Sequence, residues 1–130
     1  MCKEKSLSNQ SKTNNQTAKQ KVGSLKEQQA KDFLIDSGLY FVDQNFNCKL
    51  GEVDLIFTNY DKTTFIFVEV RYRKNSAFGG AAQSVTYQKQ QKVKKAAIFY
   101  LQKRKLDPNI RFDVIAFENN QLNWIQSAFS

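Results

Sequence analysis

The sequence has no histidine among its 130 residues, one proline and two cysteines. Without histidine, the chain cannot form a Ser-His-Asp or Cys-His catalytic arrangement, a histidine metal site, or a nuclease centre that uses histidine as its base. Two cysteines cannot build a disulfide framework or a structural zinc site by themselves. We interpret Cys2 and Cys48 as reduced thiols, as expected in a cytosolic protein.

Long apolar segments are also missing from the sequence. No run approaches the roughly 18 residues that a membrane helix needs, and the N-terminal residues lack the apolar stretch of a secretory signal. A chain of 130 residues and 15.0 kDa has the size of one domain with one core. The sequence therefore predicts a cytoplasmic protein with no membrane segment.

Positive charge is in excess along the chain. There are 20 Lys and Arg residues against 12 Asp and Glu, which gives a formal charge of +8 and a pI near 9.5. A basic protein of this size typically binds a polyanion, and nucleic acid is the first candidate. Residues 1–22 are nearly all polar, with five lysines and one glutamate, and predict a disordered basic tail. This tail either adds non-specific attraction to phosphates or is a solvated leader with no role.

Residues 23–130 predict one domain with the element order α-βββ-α-ββ. Ser24 is the candidate N-cap of the first helix, and Gly38 ends it. The apolar residues of this helix fall on one face: Leu25, Ala30, Phe33 and Leu34. The other elements are predicted at Leu39–Asn47, Glu52–Thr58 and Thr63–Tyr72 (strands), Val85–Lys105 (helix), and Ile110–Phe117 and Gln121–Gln126 (strands). A long helix between the third and fourth strands permits a parallel crossover, so we expect an α/β fold with a mixed central sheet flanked by helices.

The second and third predicted strands carry the residues that could do chemistry. Side chains alternate along a strand, so Glu52 and Asp54 share a face, and Glu69 shares a face with Arg71. Their neighbours are predicted to point the other way, into the core: Val53, Leu55, Val68 and Val70. Placing Asp54 and Glu69 on adjacent strands brings two carboxylates together, and such a pair favours a bridging cation or a shared proton.

Magnesium suits this pair of carboxylates. It takes oxygen ligands, keeps several waters, and is often held by one or two carboxylates together with substrate phosphates. The alternative is that Glu69 and Arg71 form a solvent-facing ion pair on a half-exposed sheet, with Glu52 in water near the turn. Alternating charge on one face of a sheet is common, so the pattern alone leaves both interpretations open.

The segments GEVDLI and FVEVRYR, a glycine-containing loop, a lysine-bearing helix and RFDVIAF together resemble the YraN family. The resemblance covers residues 23–130. YraN proteins are small bacterial proteins predicted to be endonucleases related to archaeal Holliday junction resolvases. The resemblance implies a restriction-endonuclease-like (PD-(D/E)xK) fold and a Mg²⁺- or Mn²⁺-dependent endonuclease acting on DNA, with branched or damaged DNA as the expected substrate. A non-catalytic nucleic-acid-binding protein that keeps the fold is the alternative.

The resemblance also assigns roles to individual residues. Asp54 and Glu69, with the Val70 carbonyl, would hold the metal, and Glu27 in the first helix would complete the site through a water. Arg71 stands where the broader nuclease pattern has lysine. Arginine stays protonated at any working pH, so Arg71 can orient a phosphate but cannot act as a general base.

Lys89, early in the long helix, matches a family lysine, and we hypothesise that it takes over the task of the motif lysine. The alternative is that Lys89 only extends its stem past the edge of the core towards solvent. Gln83 precedes the same helix, where related nucleases often carry a glutamine. Resolvases commonly act as dimers because a four-way junction has two-fold symmetry, so a homodimer is one expectation, although no interface can be read from the sequence.

Ten basic residues and no acidic ones lie between positions 71 and 105. Contacts to nucleic-acid phosphates are predicted for seven residues, all of them in this stretch: Arg71, Arg73, Lys74, Gln83, Lys89, Lys92 and Lys95. Such contacts increase the affinity for nucleic acid whatever its base sequence, and they make binding weaker at higher salt concentration. The alternative is that these residues form a solvated helix face.

Asp113 shares a strand face with Arg111, and we interpret the two as a structural ion pair, so that Asp113 is not a metal ligand. Tyr87 could stack on an unpaired base, but aromatic residues usually pack in the core, and we predict that position for it.

Overall fold

The computed structural model describes residues 17–73 and 85–130 of the chain. In chain order, these residues form helix α1 (Ala18–Asp36), strands β1 (Tyr40–Cys48), β2 (Gly51–Thr58) and β3 (Thr64–Arg73), helix α2 (Tyr87–Lys103), and strands β4 (Asn109–Glu118) and β5 (Gln121–Phe129). The predicted order of elements is confirmed. The mixed α/β architecture is consistent with a restriction-endonuclease-like fold.

The five strands form one sheet in the order β1-β2-β3-β4-β5. Strands β1, β2 and β3 are antiparallel neighbours, as short turns between them require. Strand β4 pairs in parallel with β3 along its whole length, from Thr64↔Asn109 to Arg73↔Glu118, because α2 carries the chain back across one face of the sheet. Strand β5 returns antiparallel to β4 through a turn at Asn119 and Asn120, both with positive φ, as expected for asparagines in a hairpin.

The two helices cover opposite faces of the sheet. On one face, the buried residues Ala30 and Leu34 of α1 pack on a cluster that includes Leu55, Val68 and Ile115. On the other face, α2 contributes a buried stripe at helical spacing: Val93, Ala96, Ala97, Tyr100 and Leu101. Burying apolar side chains on both faces is the main favourable contribution to the stability of such a layered domain.

Helix α1 begins earlier than predicted. Thr17, and not Ser24, is the N-cap: its side chain accepts a hydrogen bond from the Gln20 backbone N–H at 3.2 Å, and the Gln20 side chain accepts one from the Thr17 N–H at 2.8 Å. This reciprocal pair is a capping box, so residues 18–22 belong to the helix and not to the predicted tail. The rest of that tail lies outside the described residues. Leu25 is also not in the core, since it is 65% exposed.

Both outer strands of the sheet are irregular. In β1 the pairing with β2 shifts between Phe41 and Asp43, and Asn45 has a φ of 53°. In β5 the pairing with β4 shifts beside Phe112 and Val114, and Ser127 has a φ of 52°. Such bulges bend a strand and interrupt its regular row of backbone donors and acceptors.

Gly51 sets how closely α2 approaches strand β2. A Cβ atom at this position would lie 2.3 Å from the backbone oxygen of Lys92 and 2.8 Å from its carbonyl carbon. Both are backbone atoms, which cannot move aside without shifting the helix. The absence of a side chain at position 51 therefore fixes the distance between the first turns of α2 and the start of β2.

We expect Gly51→Ala to lower the free energy of unfolding by about 1–3 kcal/mol, the usual cost of forcing extra volume into a packed contact. Gly23→Ala is the matched control, because a Cβ added there meets nothing within 4 Å and alanine is favoured over glycine inside a helix. Urea unfolding followed by circular dichroism would compare the two variants with the wild type. Equal stability of Gly51→Ala and the wild type would contradict this account of the contact.

Within residues 17–73 and 85–130, no helix is long and apolar enough to cross a membrane. Cys48 is a free thiol, as predicted, and Cys2 lies outside the described residues.

Candidate active site

The candidate site lies where strands β2 and β3 separate. Their pairing runs from Thr58↔Phe65 to Leu55↔Val68. Beyond this point, in the described part of the chain, the first residues of β2 pair only with β1, and the last residues of β3 pair only with β4. We call this divergence the fork. Asp54 and Glu69 are the first residues past it on their strands.

The Asp54 carboxylate spans the fork. Its Oδ2 accepts a hydrogen bond from the Val70 backbone N–H at 2.9 Å, which places the side chain against β3 next to Glu69. Burial raises the pKa of Asp54, while the hydrogen bond from Val70 acts in the opposite direction. The predicted convergence of Asp54 and Glu69 is thus present in the structure.

Glu69 is the buried acid of the site. Only 1% of its surface is exposed, so the alternative of a solvent-facing pair with Arg71 is excluded. Its Oε2 lies 3.5 Å from the Arg71 guanidinium and 3.5 Å from Lys89 Nζ. Its Oε1 is buried and has no hydrogen-bonding partner among the described residues. Burial, and then the charge of Asp54, raise the pKa of Glu69 from 4.5 to about 8.

Lys89 reaches the fork from the first turn of α2. Thr86 caps this helix, and its side chain accepts a hydrogen bond from the Lys89 backbone N–H at 3.2 Å. Lys89 Nζ lies 3.5 Å from Glu52 Oε2 as well as 3.5 Å from Glu69 Oε2. Lys89 therefore faces the carboxylates of the sheet and does not merely extend past the core into solvent.

Glu27 of α1 adds a further acid to this region. It is half-buried, and burial followed by the charges of Asp54 and Glu52 raises its pKa from 4.5 to about 7. Because these charges act on Glu27 through space, the structure places the α1 acid in the same electrostatic environment as the two strand carboxylates. The site thus collects Glu27, Asp54, Glu69, Arg71 and Lys89, the five predicted catalytic residues.

Burial is the largest cause of the raised pKa values of Glu27, Asp54 and Glu69, and neighbouring carboxylates raise them further. Four carboxyl groups lie near two cationic side chains, and burial disfavours every extra ionised acid. A divalent cation would stabilise the ionised forms of these acids. The fit for Mg²⁺ or Mn²⁺ is supported by two features: the pair of carboxyls Asp54 and Glu69, and the unpartnered Glu69 Oε1. In the ranges that the structure describes, however, no three Asp, Glu or Cys side chains form a metal-binding group. Such a cation would therefore need waters or substrate phosphates as further ligands, as Mg²⁺ commonly has.

One part of the predicted alternation is wrong. Val53 and Leu55 are two residues apart on β2 and were expected on the same face, yet Val53 packs with the α2 cluster and Leu55 with the α1 cluster. The regular alternation of β2 is interrupted at Asp54, where the strand leaves β3. Val68 and the partly buried Val70 do pack on the α1 side, as predicted.

The predicted phosphate-binding residues are only partly gathered at the site. Arg71 and Lys89 are at the fork, and Arg73 is exposed at the end of β3. Lys92 is exposed and lines a cleft of about 270 Å³ beside Lys89 and the β1–β2 turn, while Lys95 is exposed on the same helix. Lys74 and Gln83 lie outside the described residues.

The sequence that forms this site matches a known protein family. Residues 26–117 match the model of "Uncharacterised protein family UPF0102". The chain belongs to the UPF0102 family. This is the YraN family that the sequence motifs resemble.

Several UPF0102 proteins are similar to the chain over most of their length. One from Vibrio campbellii is 47% identical over 118 residues, which cover 87% of this chain and 95% of the relative. One from Herminiimonas arsenicoxydans is 45% identical over 112 residues, covering 86% and 89%. One from Shewanella frigidimarina is 43% identical over 107 residues, covering 82% and 97%. The region that matches the family, residues 26–117, thus includes the later part of α1, the fork and α2, where the candidate site lies.

Sequence reasoning missed two residues of this UPF0102 site, Glu52 and Lys49, and misplaced Tyr87 of α2. Glu52 was expected to share a face with Asp54, but its ion pair with Lys89 depends on how α2 docks. Lys49, in the β1–β2 turn, lines the same cleft as Lys89 and Lys92. Tyr87 was predicted in the core but is 72% exposed, since it is the first residue of α2 and precedes the apolar stripe. The alternation of charged and apolar residues in the segment GEVD could have pointed to Glu52. No comparable sequence pattern points to Lys49.

The raised pKa of Glu69 predicts how stability depends on pH. In the unfolded chain this carboxyl ionises near pH 4.5, and in the folded protein near pH 8, so the folded state binds more protons between these values. Stability is therefore greatest below the unfolded pKa and falls as the pH rises to about 8. One pKa unit corresponds to about 1.4 kcal/mol, so the loss amounts to a few kcal/mol.

Glu69→Gln isolates this effect from other titrating groups. We expect the melting temperature of the variant to rise relative to the wild type between pH 5 and pH 8.5, by roughly 5 °C or more. Thermal unfolding of both proteins, in buffers without divalent cations, measures the difference. A difference that is constant across this pH range would show that Glu69 is ionised in the folded protein throughout.

Proposed function

We propose that this protein is a metal-dependent endonuclease that hydrolyses phosphodiester bonds in DNA, with branched or damaged DNA as its substrate. The observation that carries the proposal is the convergence of Asp54 and Glu69 at the fork, where Glu69 is buried and both Arg71 and Lys89 lie 3.5 Å from it. Two adjacent carboxylates favour a divalent cation, and the nearby lysines and arginines favour a phosphate.

In this proposal Asp54 and Glu69 hold Mg²⁺ or Mn²⁺. When bound, the ion polarises a phosphodiester oxygen and lowers the pKa of a coordinated water. Arg71 and Lys89 neutralise the charge that develops on the phosphate. The planar guanidinium of Arg71 can bind two phosphate oxygens at once, and Glu27, with a pKa of about 7, can exchange a proton near neutral pH.

Substrate binding is assigned to exposed basic side chains of β3 and α2. Arg73 extends from the end of β3, and Lys92 and Lys95 lie on α2. Contacts of this kind bind the phosphate backbone, which is the same in DNA of any base sequence. We expect affinity for DNA to fall steeply between 50 and 200 mM salt, as phosphate contacts release counterions. We also propose a cytoplasmic location and, from the relation to resolvases, a homodimer on branched DNA.

A second candidate is a nucleic-acid-binding protein without catalytic activity. Two observations favour it: Arg71 stands in place of the motif lysine, and Lys89 already neutralises Glu69 at 3.5 Å. In that case the protein would bind DNA with the same dependence on salt but would not cleave it.

The proposal is tested by incubating the purified protein with a four-way junction, single-stranded DNA and linear duplex DNA, each with Mn²⁺, with Mg²⁺ or with EDTA. A duplex RNA of the same sequence tests the choice of DNA. We expect cleavage that requires the metal and is fastest on the junction. Binding without cleavage under every condition would support the second candidate, and the absence of both binding and cleavage would remove both proposals.

A further inference from the structure

Lys89 Nζ lies between two carboxylates that belong to different strands. It is 3.5 Å from Glu52 Oε2 on β2 and 3.5 Å from Glu69 Oε2 on β3. Glu69 is also one of the two acids that the proposed function assigns to the metal. The ammonium group and the metal therefore have a ligand in common.

We propose that Lys89 is the built-in counter-ion of the metal-free site, that it competes with the divalent cation for Glu69, and that metal binding releases it towards the substrate phosphate. This inference rests on the proposed function, because it concerns the same two carboxylates. It assigns Lys89 opposite effects on two steps: it weakens metal binding and strengthens the interaction with the phosphate.

The two oxygens of Glu69 have different surroundings, and this difference supports the competition. Oε2 faces both cations, Arg71 and Lys89, whereas Oε1 is buried and lacks a hydrogen-bonding partner within the described ranges. A divalent cation bound through Oε1 would come near the Lys89 ammonium. Like charges a few ångströms apart repel by several kcal/mol at the effective dielectric constant of a partly buried site, so Lys89 has to move when the metal binds.

Lys89 has both the means and the space to move. Its ammonium is a point charge on a flexible four-carbon stem, while a guanidinium is planar and directional. The Lys89 side chain is about a quarter exposed and lines the 270 Å³ cleft that Lys49 and Lys92 also line. A phosphate in this cleft would meet three lysines once Lys89 leaves Glu69.

The experiment measures Mn²⁺ binding by isothermal titration calorimetry, without nucleic acid, at pH 9, where protons compete least for the carboxyls. Lys89→Met removes the charge and keeps most of the stem. Lys94→Met removes the same charge from the same helix and is the control. We expect Lys89→Met to bind Mn²⁺ about tenfold more tightly than the wild type, and Lys94→Met to bind it within about threefold of the wild type.

Thermal unfolding gives a second readout that does not depend on cleavage. At the same pH 9 and without metal, Lys89→Met should melt at a lower temperature than the wild type, because Glu69 loses a cation at 3.5 Å. Mn²⁺ should then raise the melting temperature of Lys89→Met by more than it raises that of the wild type. Lys89→Arg retains a positive charge and should stay close to the wild type in both measurements.

The outcomes separate this inference from the proposed function. If the wild type binds Mn²⁺ and Lys89→Met binds it no more tightly, the competition is refuted while the metal site stands. If Asp54→Asn binds Mn²⁺ as well as the wild type, the metal lies elsewhere and both ideas are wrong. If no protein in the series binds the metal, the inference is overturned together with the metal-dependent reaction.

Discussion

Glu69→Gln and Asp54→Asn are each expected to reduce metal-dependent DNA cleavage by at least about a hundredfold. The physical reason is that an amide has the shape of the acid but supplies only a neutral oxygen to a divalent cation. Removing a ligand or an electrostatic group from the centre of a hydrolytic site commonly costs two to three orders of magnitude in rate. Initial rates of junction cleavage at saturating Mn²⁺ measure the effect.

Both amide variants should fold, which makes a loss of activity interpretable. In Asp54→Asn the side-chain oxygen can still accept the hydrogen bond from the Val70 N–H. In Glu69→Gln the buried group no longer ionises, so the variant should be at least as stable as the wild type at pH 8.5. Asp61→Asn is the control, since Asp61 is an exposed residue of the β2–β3 turn, at the far end of both strands. If both site variants cleave within threefold of this control, the two carboxylates are not the catalytic centre.

Asp113→Ala is expected to cause the largest loss of stability among single substitutions outside the site. Asp113 is fully buried, and its two oxygens accept four hydrogen bonds. Two come from Arg111, at 2.9 Å from Nε and 2.8 Å from an Nη. The others come from the Trp124 indole N–H at 2.9 Å and the Ser127 backbone N–H at 3.0 Å. Removing the carboxylate leaves all of these donors without their acceptor.

We expect Asp113→Ala to lower the free energy of unfolding by about 3–5 kcal/mol, the usual cost of removing one partner of a buried ion pair. The melting temperature should then fall by roughly 10 °C or more. Asp107→Ala, in the exposed connection between α2 and β4, is the control and should change stability by less than about 0.5 kcal/mol. A loss below about 1 kcal/mol in Asp113→Ala would mean that water replaces the carboxylate at little cost. The structure confirms the predicted pair of Asp113 with Arg111, while the contacts with Trp124 and Ser127 were not predicted.

The sequence predicted the strands and the convergence of the two central acids well. Strands β2 and β3 are rich in β-branched and aromatic residues, and the short turn between them sets a register in which Asp54 and Glu69 follow the last pair, Leu55 and Val68. These are local properties of short segments. The start of α1 is also encoded locally, by the capping box of Thr17 and Gln20, but it was missed because it lies within a long polar segment.

Other parts of the site could not be predicted, since they depend on how elements pack. The position of Lys89 between Glu52 and Glu69 follows from the docking of α2 on β2, which Gly51 permits through its contact with Lys92. The switch of Val53 to the α2 side follows from the fork, where β2 leaves β3. Neither the docking distance nor the end of strand pairing can be read from hydrophobic periodicity.

The bulges in the two outer strands have a consequence for association between molecules. An open sheet with two free edges can grow by adding a strand from another chain, which is a common route to aggregation. The positive φ angles at Asn45 and Ser127 distort the edge that each strand offers to such an addition. Within the described residues, both edges of the sheet are therefore poor templates for a strand from a second molecule.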